Sequence, residues 1–124
     1  MAEMGKDEFV QKVAERLARM PKDTAPTGEP YHLLEAATAG GELTGELWME
    51  GPEGGLPVFQ SRADALTAVR CMPLPQEMGF GENAERWHIR ALSGDELRYF
   101  YLNPHFTVYV VLKVNDDGIE TRPL

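Results

Sequence analysis

Residues 105–114 show the clearest pattern in this chain. Phe106, Val108, Val110, Leu112 and Val114 alternate with His105, Thr107, Tyr109, Val111 and Lys113. A period of two puts the first set on one face of a strand and the second, only partly polar, on the other. Asn115-Asp116-Asp117-Gly118 then has turn composition, and Ile119-Glu120-Thr121 reads as a short final strand. Upstream, Trp87, Ile89 and Ala91 alternate with His88 and Arg90, giving a half-buried strand.

At residues 7–20 the period changes. Phe9, Val10, Val13, Leu17 and Met20 recur at helical spacing, with Lys6, Gln11, Lys12, Glu15, Arg16 and Arg19 on the other side. Asp7 and Glu8 in the first turn and Arg16 and Arg19 near the end suit the helix dipole, and Pro21 stops the helix. Pro21, Pro26, Gly28 and Pro30 make residues 21–30 a linker. Residues 31–39 carry two signals: Tyr31 to Leu34 can alternate as a strand, whereas Glu35-Ala36-Ala37 favours helix; the segment is read as a strand.

Leu43, Leu47 and Met49 interleave with Thr44, Glu46 and Trp48. Gly51-Pro52-Glu53-Gly54-Gly55 is a turn, and Leu56 to Phe59 return, so 43–59 is expected to form a β-hairpin. Ser61-Arg62-Ala63-Asp64 resembles a capping box and opens a helix over 62–70, which ends before Pro73 and Pro75. Ser93-Gly94-Asp95-Glu96 starts a second, short helical turn, after which Tyr99 to Leu102 are expected to extend toward the sheet.

These elements predict an α+β fold in two layers. A mainly antiparallel mixed sheet of about five strands is covered on one face by the two main helices, 7–20 and 62–70. The partly apolar second face of 105–114, with Tyr109 and Val111, is covered either by the 73–84 loop or by another subunit, which admits a homodimer. The chain reads as one domain, 1–124: an N-terminal helix at 7–20, a linker at 21–30 and a sheet-containing body at 31–124. A length of 124 residues suits one domain and one core.

Charge narrows the partners. The formal net charge is -8, which opposes binding to nucleic acid and to anionic membranes. Between Lys22 and Arg62 no Lys or Arg occurs, while Asp23, Glu29, Glu35, Glu42, Glu46, Glu50 and Glu53 are acidic. That stretch is a solvated face or, on a sharper reading, a docking surface for a basic protein partner through Glu46, Glu50 and Glu53. One cysteine, Cys71, excludes an internal disulfide, and the first residues carry acids and no apolar run, so a cytoplasmic protein is expected.

Candidate chemistry is sparse. Gly79-Phe80-Gly81-Glu82-Asn83-Ala84 matches G-x-G-x-x-A, but prolines precede it and a strand follows, so the helix N-terminus that would hold phosphates is missing. His32, His88 and His105 fall in no zinc spacing, and a metal site would need His88, His105 and a Glu to converge. Cys71 reads as a small buried hydrophobe or, as an alternative, a nucleophile. No cofactor is expected. The aromatic run Tyr99-Phe100-Tyr101 cannot turn wholly inward, so it places a ring at the surface, where tyrosines favour interfaces. Tyr99, Tyr101 and Tyr109 are therefore interaction candidates, and His88, Arg90 and Tyr101 candidates for a ligand pocket.

Pro57-Val58-Phe59-Gln60-Ser61, the helix over 63–69, the turn at 93–97 and Leu102-Asn103-Pro104 together resemble the N-terminal domain of the SseB-like bacterial proteins. Gln60 stands in that pattern's Thr position and His105 where Gly is usual, and the likeness spans about half of the chain. It implies an α/β domain with an association or secretion-related role and no established catalytic residues. The function expected from the whole is a non-catalytic protein-interaction or adaptor domain in a bacterial cytoplasm. The alternatives are a small-ligand-binding domain or a small enzyme using converged His and carboxylates or Cys71.

Overall fold

One strand organises the sheet. In a computed structural model describing residues 5–50 and 55–124, β1 (His32–Ala37) is buried along its whole length. On one side it pairs antiparallel, residue for residue, with β4 (Arg86–Ala91). On its other side, β2 (Leu43–Leu47) runs along its C-terminal half and β3 (Gly55–Phe59) meets its N-terminal end at His32↔Phe59, both antiparallel. β3 pairs in parallel with β5 (Thr107–Asn115), and β6 (Gly118–Pro123) closes the far edge antiparallel to β5. The result is an α+β fold on a six-stranded mixed sheet, mainly antiparallel, as the alternating segments require.

Each face of the sheet has its own core. Leu33, Leu56, Val58, Val108 and Val110 pack with Leu92 and with Leu97 of α3 (Gly94–Leu102). Leu34, Ala36, Phe59, Val111 and Trp87 pack with Ala65 and Ala68 of α2 (Arg62–Cys71) and with Ala84. This explains the mixed signal at 31–39. A strand covered on both faces reads as a continuous apolar run instead of an alternating one. The 73–84 loop, which holds a 3-10 turn at Pro75–Met78, joins α2 in covering the second face. Phe80 meets the Trp87 ring edge-on at 5.2 Å, and the Trp87 Nε1–H donates to the Pro73 carbonyl at 2.9 Å. Burial of that face therefore requires no second subunit.

Three expectations are corrected. The two main helices do not share a face of the sheet. α1 (Lys6–Ala18) buries no residue and lies against α3, leaving α2 and α3 to cover opposite faces, so the layers number three. Its anchor is polar. Arg16 Nη1 donates to the carbonyls of Tyr101 (3.0 Å), Asn103 (2.7 Å) and Phe106 (2.8 Å). These lie at and just past the C-terminus of α3, where free carbonyls and the helix dipole both favour a cation. With two hydrogens for three acceptors, one bond is shared.

Residues 43–59 are not a two-stranded hairpin. β2 and β3 both run antiparallel to β1, and their ends meet only at the isolated Glu50↔Gly55 bridge. The hydrogen-bonding edge of β1 takes both strands in succession. The Gly51–Gly54 part of the expected turn, with Glu53, lies outside the described residues. Finally, Tyr99 to Leu102 continue α3 instead of extending. The Ser93 capping box launches that helix: Ser93 Oγ accepts from the Glu96 N–H at 3.1 Å, and Glu96 Oε1 accepts from the Ser93 N–H at 3.4 Å. Once nucleated, the helix continues to the residues before Pro104.

Candidate interaction surface

Reading Tyr99–Leu102 as helix changes the geometry of the aromatic run. Leu97 points into the core, so Asp95, Arg98, Tyr99 and Leu102, at i, i+3, i+4 and i+7, share another face. That face and α1 border an open groove of about 520 Å³, lined by Phe9, Asp95, Arg98, Tyr99, Leu102, Asn103 and His105. Tyr99 is 62% exposed and Phe9 37%. The Phe9 and His105 rings lie 6.0 Å apart, and Phe100 stands edge-on to Tyr99 on one side and to Phe106 on the other, each at 5.3 Å. Tyr99 is therefore backed by a fixed aromatic stack running toward the core. Arg98 is held to Asp95 at 3.0 Å, so the groove's charges are matched and its apolar lining dominates.

The other interaction candidates divide. Tyr101 is half-buried, its hydroxyl donates to the Arg19 carbonyl at 3.2 Å, and with Lys12, Glu15, Arg16 and Arg19 it lines a second groove of about 260 Å³. It pins α1 more than it meets solvent. Tyr109 packs its ring against Gly55, where an added Cβ would stand 2.7 Å from the ring. Glu46 and Glu50 are exposed, while Glu53 lies outside the described residues.

Other acids of the same stretch are structural and do not form a single solvated face. Glu29 Oε2 accepts from the Arg62 N–H at the start of α2, at 3.1 Å. Glu35 is buried at 3% exposure. It accepts from Arg90 Nη1 at 3.0 Å and from the Gly45 N–H at 3.1 Å. Arg90 Nη2 in turn binds Glu96 Oε2 of the α3 capping box. Glu35 stands opposite His88 in register, so Arg90 is its diagonal neighbour, within reach of a long side chain. The sequence signal was there: one acid inside an apolar strand needs a cation, and Arg90 lies on the partner strand.

The ligand-pocket candidates sit in three different settings. Arg90 is committed to Glu35 and Glu96, Tyr101 to α1, and His88 lies exposed on β4. His32 is buried in β1, and its Nδ1 has no partner among the described residues; burial pushes its pKa below the usual range, Glu29 and the Pro30 carbonyl acting against this and Arg62 with it. Burial also pushes the Tyr31 phenol upward, against the pull of Arg122.

Cys71 is exposed, not buried as expected, because α2 ends there. Its Sγ lies 3.7 Å from Asp116 Oδ1, at a cavity of about 150 Å³ whose lining includes Trp48, Ala68 and Ile119. That lining holds no His, Lys or Arg to activate a nucleophile. Among the described residues no group of three His, Cys, Asp or Glu side chains is placed to hold a metal ion. Nor is any helix among them long and apolar enough to cross a membrane. The glycine loop at 79–84 leads into β4 and not into a helix, so it presents no helix N-terminus to phosphates.

Compared with family models, with curated proteins and with solved structures, the chain matches nothing.

Proposed function

We propose that this protein is a non-catalytic interaction domain acting in a bacterial cytoplasm, and that the groove beside α3 is its contact surface. The observation that carries this reading is the 62%-exposed Tyr99, held on a packed aromatic stack at the rim of an apolar groove. An amphipathic ring fixed at low entropic cost is the usual anchor of a protein interface. The SseB-like pattern of Pro57 to Ser61 and Leu102 to Pro104 points the same way. The exposed carboxylates Glu46 and Glu50 would steer a basic partner toward the molecule, a salt-sensitive effect on association rate.

The test is capture from native cytoplasm with light crosslinking, comparing wild type with Tyr99→Ser and with Glu46→Gln/Glu50→Gln, at low and high salt. Tyr99 is exposed, so Tyr99→Ser keeps the fold, which circular dichroism checks. A partner retained by wild type and lost with Tyr99→Ser supports the reading. Identical captures from both proteins defeat it.

A further inference from the structure

Three strands of the sheet have a single strand partner each, and two of them are blunted at the open side. β2 breaks register against β1 between Glu35 and Ala37 and carries Gly45 at φ +84° in its middle. β6 breaks register against β5 between Val111 and Lys113 and ends on Pro123. Bulges, glycine and proline keep an edge from accepting another strand. β4 has none of them. Its residues, Arg86 to Ala91, pair in unbroken register with β1, and no other strand among the described residues pairs with it. The Leu92 N–H donates to the Tyr31 carbonyl at 2.8 Å, so by antiparallel alternation Arg90 and His88 turn their backbone groups toward β1. Trp87, Ile89 and Ala91 turn theirs outward, leaving a row of donors and acceptors open to one more strand.

The side chains on that strand select what pairs with it. Arg86, His88 and Arg90 stand opposite Ala37, Glu35 and Leu33, so all three share the sheet face that α3 covers further along. Arg90 is held by Glu35 and Glu96. Arg86 is exposed and forms no ion pair among the described residues, and His88 is exposed beside it. Glu85, next to the strand, falls on the opposite face by the same alternation. That opposite face carries Ile89, half-buried, and Ala91, exposed. We propose that the free edge of β4 accepts an extended acidic peptide as a further strand, its carboxylates alternating with apolar side chains. The carboxylates lie beside Arg86 and His88 at the roughly 5 Å spacing of cross-strand neighbours, and the apolar residues beside Ile89 and Ala91. The backbone row requires a polypeptide, so a nucleic acid cannot make this contact. A second copy of β4 is disfavoured, because an antiparallel pair centred on His88 or Ile89 sets these cations opposite one another. No residue of this edge lines the Tyr99 groove, so the two readings stand or fall separately.

The probe is a fluorescein-labelled peptide of alternating Glu and Val, about ten residues long so that it spans β4, titrated by fluorescence anisotropy to about 1 mM protein. Its controls are a Lys-for-Glu version and two versions N-methylated at alternate residues, one in each phase. The expected Kd lies between about 10 and about 500 µM. Methylation in one phase abolishes binding, and in the other spares it. Ala91→Pro removes an outward N–H without touching the β1 ladder, and both it and Arg86→Glu weaken binding at least about tenfold; Tyr99→Ser leaves it unchanged. The net charge of -8 draws a lysine peptide nonspecifically, so preference for the acidic one reports the edge itself. Circular dichroism checks that the variants fold, and the methylated peptides need no variant. No binding to about 1 mM, equal or stronger binding of the lysine peptide, or equal effects of the two methylation phases overturns the proposal. So does a dimer of the chain alone that Ala91→Pro dissolves in sedimentation velocity, which gives the edge to a second copy.

Discussion

Two ion pairs of equal length separate burial from geometry as the source of electrostatic stability here. Arg90–Glu35 and Arg98–Asp95 both measure 3.0 Å. Glu35 keeps only 4% of its side chain exposed, however, against 95% for Asp95. Removing one partner of a buried pair costs about 3–5 kcal/mol, because the other charge stays desolvated. Arg90 is 31% exposed, so solvent screens part of the interaction and the cost falls at or just below the bottom of that range. After Arg90→Ala, Glu35 retains only the Gly45 N–H, and the Glu96 carboxylate loses its cation. The expected loss is about 2–3 kcal/mol, read by urea denaturation at neutral pH. Arg98→Ala should cost less than about 0.5 kcal/mol, as exposed i,i+3 pairs do. Replacing both partners, Glu35→Leu with Arg90→Met, removes the buried charge as well as its partner and should return to within about 1 kcal/mol of wild type. Equal losses for Arg90→Ala and Arg98→Ala would refute the burial argument. So would a double variant no better than Arg90→Ala.

Three further outcomes follow from the same structure. His32 has its folded pKa pushed below the unfolded value of about 6.5. The unfolded chain thus takes up the proton first, and stability is complete above that pH and falls as pH drops through it; His32→Leu should flatten the stability profile below about pH 6.5. Ser61 Oγ accepts from the Asp64 N–H at 3.1 Å to cap α2, so Ser61→Ala should cost about 1 kcal/mol in chemical denaturation, and Ser61→Asp should restore most of it. At Gly55 an added Cβ would meet the Tyr109 ring at 2.7 Å and the Glu50 carbonyl at 3.0 Å. Gly55→Ala should therefore cost about 1–3 kcal/mol, and Tyr109→Ala should relieve part of that loss in a double-mutant cycle.

Much of this molecule is written in short-range pattern. The alternation of 106–114, the amphipathic spacing of 7–20 and the Ser61 and Ser93 caps are local signals, because a strand's period, a helix's period and a cap's hydrogen bond each involve residues a few positions apart. The α+β class follows from them. What each element packs against does not. Arg16 reaches carbonyls more than 80 positions away, and Arg90 finds Glu35 across 55. In sequence one is an ordinary polar-face residue of an amphipathic helix and the other a strand residue facing solvent. The Tyr99 groove was half legible: the need for a surface ring was clear, but Phe9 and Leu102 join it only because α3 continues to Leu102 and α1 crosses its end. Tertiary structure also decided that β1 would be covered on both faces and that the apolar row of α1 would stay open. The reason is that burial is a property of the assembled layers: the same apolar stripe that lays one helix on a sheet leaves another uncovered when a single arginine holds it elsewhere.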